Sequence, residues 1–205
     1  MSTATTLPPG NAFTRMLRQL GADSMYLIVG FPISLVAFIL CVTSFWLGVG
    51  TAIIVLGIPI MVVSLYLARG FADVERTRLP VVLRRPSPRP RYKRSDPTAG
   101  FWNRVTTPLR DGQSWLDLVH ACLSWIFHTI GFCFVVTWWV GALGGITNFA
   151  WEWAIPRGPD NKDLNQLLKL PDTYAARTGL MAIGGVIFLL TLPLVARIFA
   201  VLTAS

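Results

Sequence analysis

The sequence predicts an all-α, polytopic membrane protein whose four transmembrane helices form two helical hairpins. Three observations support this fold class. The chain is 53% hydrophobic and 14% charged, whereas soluble domains carry about 25% charged residues. The stretch Tyr26–Ala68 contains no Asp, Glu, Lys, Arg or His, and as one helix it would be about 65 Å long, twice the roughly 30 Å hydrocarbon core of a bilayer. Two further long apolar runs follow a basic, proline-rich segment.

The first hairpin occupies residues 26–68. Because the uncharged stretch is too long for one crossing, it must reverse direction, and the glycines of Ser44–Gly50 permit a tight turn there. This places one span at about Tyr26–Phe45 and the next at about Gly50–Leu67. Residues 1–25 form an N-terminal segment in which Asn11–Leu20 has the apolar spacing of a short amphipathic helix. That helix either lies at the membrane interface or packs on the protein's own loops.

Residues 69–117 form a basic loop, with eleven Lys and Arg against five Asp and Glu. Cytoplasmic loops are enriched in Lys and Arg. We therefore expect a protein of the cell (plasma) membrane with this loop and both termini in the cytoplasm. The net charge of +8 is then explained by orientation and anionic lipid, without a nucleic-acid partner. The loop is either a topology signal alone or a specific contact for lipid, nucleotide or protein. Its candidate contacts are Arg84, Arg85, Arg89, Arg91, Lys93 and Arg94.

The second hairpin occupies residues 118–200, followed by a short tail at 201–205. Its spans are predicted at about Leu118–Val140 and Gly179–Val195. The extracytoplasmic loop between them, about 147–178, carries four acidic and four basic residues. Tryptophans cluster at its membrane side, as expected for an interfacial belt. The candidate extracytoplasmic sensing surface consists of Trp151, Glu152, Trp153 and Asp172.

An offset of 94 residues aligns the two halves of the chain. Asp23 aligns with Asp117, Phe38 aligns with Phe132, and the aromatic Phe31 falls on Trp125. Repeats of two spans each would be parallel and related by an axis along the membrane normal. Chance identity between apolar runs is the alternative.

The candidate intramembrane polar site consists of Asp117, His120 and His128. The histidines lie eight residues apart, or about 12 Å along a helix, so one metal ion cannot bind both. An ionisable residue within a membrane span indicates a functional site, whereas a neutral histidine hydrogen-bonded between helices would be structural. Asp117 has capping-box spacing from Ser114, which favours a structural role at a helix N-terminus. No motif indicates a catalytic residue, a cofactor or a metal site.

Three stretches of the sequence carry a family resemblance. They are YLIVGFPISLVAF…GIPIMVVSLYLARGFADVER, SWLDLVHACLSWIFHTIGFCFVVTWWVGAL and PDTYAARTGLMAIGGVIFLLTLPLVARIFA. Their layout, with ARG-x-x-x-x-E where the first hairpin ends and W-x-D-L where the second begins, resembles the sensor domain of actinobacterial membrane proteins. That domain often precedes a histidine kinase and also occurs alone. The resemblance covers about residues 25–200 and implies no catalytic residue. Because no kinase domain follows Ser205 here, we expect the domain to act through a partner protein, or the chain to be a fragment of a longer one.

These observations predict a non-enzymatic, sensor-like or accessory module. We expect it to perceive an envelope or lipid signal and to act through a kinase, regulator or transporter, or as a homodimer. One alternative is a structural subunit of a transporter or respiratory assembly. The other is a lipid-handling membrane enzyme.

Overall fold

The computed structural model describes residues 11–52, 56–84, 92, 100–154, 168, 171 and 173–204. All regular structure in this part of the chain is helical. The α-helices are α1 (Ala12–Gly50), α2 (Gly57–Leu83), α3 (Phe101–Thr106), α4 (Gly112–Ile146), α5 (Asn148–Trp151) and α6 (Tyr174–Ala204). Short 3₁₀ turns lie at Thr107–Arg110 and Glu152–Ala154.

Helices α1, α2, α4 and α6 are each long and apolar enough to cross a membrane. This confirms the predicted all-α fold with four candidate membrane spans. The helices are longer than the predicted spans, since α1 contains 39 residues and α4 contains 35. At about 1.5 Å per residue, each exceeds the roughly 30 Å hydrocarbon core. A helix of this length that crosses the core therefore extends beyond it.

Helices α1 and α2 form the first hairpin, with their backbones in close contact. The hydroxyl of Ser64 donates to the carbonyl of Cys41 at 3.2 Å. A Cβ atom added to Gly57 would lie 2.2 Å from the carbonyl oxygen of Gly48. Glycine at both positions allows the two helices to approach where a larger residue would separate them.

The predicted turn at Ser44–Gly50 is wrong, because α1 remains helical through Gly50. The reversal lies between α1 and α2, where the Gly57 amide donates to the Thr51 carbonyl at 3.2 Å. Gly48 serves the contact between helices instead of the turn. Glycine is suited to both roles, so the sequence alone did not distinguish them.

Two other element boundaries also differ from the sequence predictions. The amphipathic segment Asn11–Leu20 is not a separate helix, since α1 runs without interruption from Ala12. The predicted basic loop begins as helix, since α2 passes Pro80 and ends at Leu83. Arg84 then adopts a left-handed conformation, φ 53°, and its amide donates to the Pro80 carbonyl. This is the αL cap that ends many helices, and it explains why the helix ends after the proline rather than at it.

Helices α4 and α6 form the second hairpin, again with close backbone contact. A Cβ atom on Gly145 would lie 2.6 Å from the Met181 carbonyl oxygen, and one on Gly141 would lie 2.7 Å from the Phe188 ring. The indole of Trp138 donates to Thr191 at 3.0 Å. The GxxxG pair 141/145 therefore does permit close helix packing.

The described residues fall into two compact units. The first comprises the residues up to Leu20 together with Cys133–Ile198. The second comprises the residues of Gly21–Phe132 together with those from Phe199 onward. In the second unit, α1, α2 and α4 share an apolar core formed by Cys41, Leu65, Ala68, Leu118 and Ala121.

In the second unit, α4 packs antiparallel to α1. Phe31 stacks on Phe132 with ring centroids 4.6 Å apart, and Phe38 contacts Trp125 at 4.9 Å. The higher-numbered residue on α1 thus contacts the lower-numbered residue on α4. The predicted parallel repeat is wrong for these segments. The offset aligns Phe31 with Trp125 and Phe38 with Phe132, whereas the contacts join Phe31 to Phe132 and Phe38 to Trp125. A sequence offset cannot determine the relative direction of two helices.

Candidate functional site

A group of buried polar side chains connects α1, α2 and α4 within the second unit. We call it the polar junction. It consists of Tyr26, Arg69, Glu75, Arg76, Arg78, Tyr92, Asp111, Ser114, Asp117 and His128.

Arg69 of α2 holds the beginning of α4. Its Nη2 lies 2.7 Å from Oδ2 of Asp111, and its Nε donates to the Ser114 hydroxyl at 2.8 Å. The Ser114 hydroxyl donates in turn to Asp111 at 3.0 Å. Asp111 directly precedes Gly112, the first residue of α4, so its negative charge also complements the positive end of the helix dipole.

Arg76 lies seven residues after Arg69, two helical turns along the same side of α2. Its Nη2 is 2.6 Å from Oδ1 of Asp117, which is 3% exposed. Asp117 also accepts from Gln113 at 3.1 Å. The capping-box prediction for Asp117 is wrong, because α4 begins at Gly112 and this carboxylate pairs with an arginine of α2. A buried carboxylate is stable only with such partners, so the structural role lies in the ion pair between helices.

Tyr92 belongs to the basic stretch of the chain and joins the same pair. Its hydroxyl donates to Oδ2 of Asp117 and accepts from Nη1 of Arg76, both at 2.8 Å. The guanidinium carbon of Arg69 lies 4.4 Å from the centre of the Tyr92 ring, which is a cation–π contact. Burial raises the pKa of Tyr92 above its usual value, and the hydrogen bond to Asp117 acts in the same direction.

The second half of the junction surrounds Glu75. The Tyr26 hydroxyl donates a short hydrogen bond to Oε1 of Glu75. Arg78 lies 3.4 Å from Oε2 of Glu75 and donates to the Tyr26 carbonyl at 2.8 Å. His128 is 1% exposed, and its Nε2 lies 3.8 Å from Oε1 of Glu75. Its ring fits only because residue 30 is glycine, since a Cβ there would lie 2.2 Å from the ring.

Glu75 lines two cavities of the described region. The larger, about 260 Å³, is lined by Glu75, Arg76, Asp117 and His120 among others. The smaller, about 20 Å³, is lined by Glu75, His120 and His128. Both share Glu75 and His120, so the buried histidine and the larger cavity adjoin the same carboxylate.

The predicted polar site is therefore brought together only in part. His128 and Asp117 both belong to the polar junction, but each has a different arginine or carboxylate partner on α2. His120 is exposed and lines both cavities. None of the hydrogen bonds described here joins it to Asp117 or His128. Arg84 forms the cap of α2. The remaining candidate basic contacts lie outside the described residues, namely Arg85, Arg89, Arg91, Lys93 and Arg94.

The candidate sensing surface belongs to the first unit. Trp151 and Trp153 are 45% and 83% exposed. Glu152 differs from the prediction, because it is 3% exposed and its Oε1 lies 2.8 Å from Nε of Arg177. Its place in the 3₁₀ turn directs its carboxylate inward, toward α6. Asp172 lies outside the described residues.

Sequence reasoning missed Glu75, Arg76, Tyr26 and Tyr92 as members of a site. A signal was available for some of them. The two short motifs on which the resemblance was based, ARG-x-x-x-x-E and W-x-D-L, contain Arg69, Glu75 and Asp117. The structure brings these motifs together on facing helices, since Ala68 and Leu118 belong to the same buried apolar cluster.

Among the described residues, no three His, Cys, Asp or Glu side chains lie close enough together to hold a metal ion. The junction offers paired charges, hydrogen bonds and ionisable side chains. An arrangement of this kind can change state when a charge is added, removed or given a different partner.

Comparison with known proteins identifies the family. Residues 26–205 match the Sensor family, described as "Putative sensor". No curated protein and no solved structure gives a significant match. The matched region covers most of the chain and includes the whole polar junction, as the resemblance of the short motifs implied. The chain is therefore a multi-pass membrane protein that belongs to the Sensor family.

Proposed function

We propose that this protein is a non-enzymatic sensor module of the plasma membrane that perceives an envelope or lipid signal and acts through a partner protein. Family membership supports a sensor-like role. The observation that carries the proposal is the contact of Tyr92 with Arg76 and Asp117. It connects the basic stretch of the chain directly to two membrane-spanning helices, so a change in their packing would alter the position of that stretch.

The proposed orientation places the N-terminus and the basic stretch in the cytoplasm. The excess of Lys and Arg between α2 and α4 supports it. Four alternating crossings would also place the C-terminus in the cytoplasm and the stretch between α4 and α6 outside. This arrangement requires α1 and α4 to cross in the same direction, whereas their described ring contacts are antiparallel. Trp151 and Trp153, exposed on that stretch, would then contribute to signal perception. The arginines and lysine near Tyr92 would contact anionic lipid or the partner.

Cysteine labelling tests this orientation. Single cysteines at residues 5, 95, 160 and 205, in a variant without the three native cysteines, would be reacted with an impermeant maleimide in intact cells. The proposal expects labelling at residue 160 alone. Labelling at residue 95 or 205 would contradict the proposed orientation. Labelling at 205 in place of 160 would indicate that the second hairpin is inserted in the opposite direction to the first, which is the arrangement that the antiparallel contact of α1 and α4 favours.

Purification in mild detergent followed by mass spectrometry tests the partner. We expect a histidine kinase or a transcriptional regulator at near-stoichiometric amounts, with recovery reduced in Tyr92→Phe. Asp73→Ala is the matched control, because Asp73 also pairs with Arg76 but is 62% exposed. Equal recovery with Tyr92→Phe and wild type would contradict the role of Tyr92.

Two other results would replace the proposal. A stoichiometric transporter or respiratory complex, with recovery unaffected by any variant of the junction, would identify a structural subunit. Bound lipid near Asp117 together with turnover that depends on this residue would identify a lipid-handling enzyme.

A further inference from the structure

The two ring nitrogens of His128 have different environments. Nδ1 lies 3.0 Å from the carbonyl oxygen of Ser124. A carbonyl can only accept, so Nδ1 must carry the hydrogen. In the neutral ring Nε2 is then an acceptor, and it is buried with no hydrogen-bond partner among the described residues.

Nε2 faces another acceptor. Oε1 of Glu75 lies 3.8 Å away, beyond hydrogen-bond distance. With a neutral histidine and an ionised carboxylate, two lone pairs face each other in a buried site. This arrangement is unfavourable unless a hydrogen atom lies between them, carried by a water molecule or by the histidine itself.

Charged and titratable groups face His128 from three helices of its unit, α1, α2 and α4. Helix α1 contributes Tyr26, whose ring centre is 5.6 Å from the imidazole. Helix α2 contributes Glu75 and Arg78, and α4 contributes His120. The end of α6 contributes Thr203, which is uncharged and lies near Gly131. Burial opposes a positive charge on the ring most strongly. Glu75 and the Ser124 carbonyl favour this charge, whereas Arg78 and His120 also oppose it.

The smaller cavity allows exchange of a proton at this position. Its volume of about 20 Å³ fits one water molecule. Glu75, Ser34 and both histidines line it and provide the polar partners that a buried water requires. His120 and Glu75 also line the larger cavity of about 260 Å³, so the small site adjoins a wider space.

We propose that His128 and Glu75 form a proton-binding site that exchanges protons through the cavities lined by His120. On acidification, an O–H bond of a hydrated proton breaks and an N–H bond forms at Nε2, which leaves a water molecule and an imidazolium. The imidazolium then attracts Oε1 of Glu75, and the new N–H donates to this oxygen once the 3.8 Å separation shortens; the same oxygen accepts from Tyr26. Protonation therefore competes with the hydrogen bond that joins α1 to α2.

This property belongs to the isolated chain and does not depend on the proposed sensor role. The test uses the full-length protein in lipid nanodiscs, labelled with ¹⁵N-histidine. The chain has two histidines, so His120→Gln leaves His128 as the only signal. NMR should show a neutral ring with hydrogen on Nδ1 at high pH and a doubly protonated ring at low pH.

Glu75→Gln in the same background removes the negative partner. We expect the ratio of doubly protonated to neutral His128 at a fixed acidic pH to fall about tenfold or more, as is typical when an opposite charge within 4–6 Å is removed. Asp73→Asn is the matched control, since it removes an exposed carboxylate of the same helix, and the ratio should not change.

Tyr26→Phe provides a second variant if Glu75→Gln fails to fold. It removes the competing donor to Oε1, so the protonated fraction should rise. A ring that stays neutral from pH 8 to pH 4 would overturn the proposal. So would equal ratios in wild type, Glu75→Gln and Tyr26→Phe. If the partner experiment fails while the titration succeeds, the proton site stands without the sensor role.

Discussion

Arg76 offers a direct comparison of a buried and an exposed ion pair, because it contacts one carboxylate of each kind. Asp117 lies 2.6 Å away with a side chain 4% exposed, and Asp73 lies 2.8 Å away with a side chain 62% exposed. Breaking a buried pair costs about 3–5 kcal/mol, since the remaining charge loses its partner in a poorly hydrated site. An exposed pair contributes about 0–1 kcal/mol.

We therefore expect Asp117→Ala to destabilise the protein by about 3 kcal/mol, the low end of the range for buried pairs, because Arg76 is itself 21% exposed and keeps Asp73. This corresponds to a fall in Tm of about 6–12 °C for a chain of this size. Asp73→Ala should lower Tm by about 4 °C or less. The assay is thermal unfolding in detergent followed by tryptophan fluorescence. Equal shifts for the two variants would refute the burial argument.

Three further predictions concern helix contacts and pH. Gly30→Ala should destabilise by about 1–3 kcal/mol through its clash with the buried histidine ring, whereas Gly21→Ala, which meets nothing within 4 Å, should be neutral or stabilising in the same thermal assay. Gly145→Ala should weaken the second hairpin more than Gly144→Ala, measured by protease resistance, because only the former contacts a backbone, at 2.6 Å. Tyr92→Phe should lower the free energy of unfolding by about 1–2 kcal/mol. Because the pKa of Tyr92 is raised in the folded protein, the full stability difference between wild type and variant should be measured below about pH 10. It should disappear at higher pH, as the phenol ionises.

The four long helices could be predicted because apolar length alone defines them. A run of about 20 apolar residues is long enough to cross a bilayer whatever its tertiary contacts. The ends of the helices could not, because they depend on local caps and contacts. Gly48 illustrates this, since glycine suits both a turn and a close helix contact, and only the position of α2 determines which one forms.

The polar junction was predicted only through His128 and Asp117. Its pairs join residues distant in sequence, such as Arg76 and Asp117, so they depend on how α2 and α4 cross. Periodicity within one helix contains no information on that crossing. Tyr92 was missed for a related reason, because its basic and proline-rich neighbours are typical of a solvated loop, whereas its own side chain is held by two partners.

The central claim is that the polar junction holds Tyr92, within the basic stretch of the sequence, against α2 and α4. The rate of tryptic cleavage at Arg91 and Lys93, on either side of Tyr92, tests it most directly in the purified protein. We expect slow cleavage in wild type and in Asp73→Ala, and cleavage at least several-fold faster in Asp117→Ala. Equal rates in all three proteins, measured at a temperature where each remains folded, would contradict the claim.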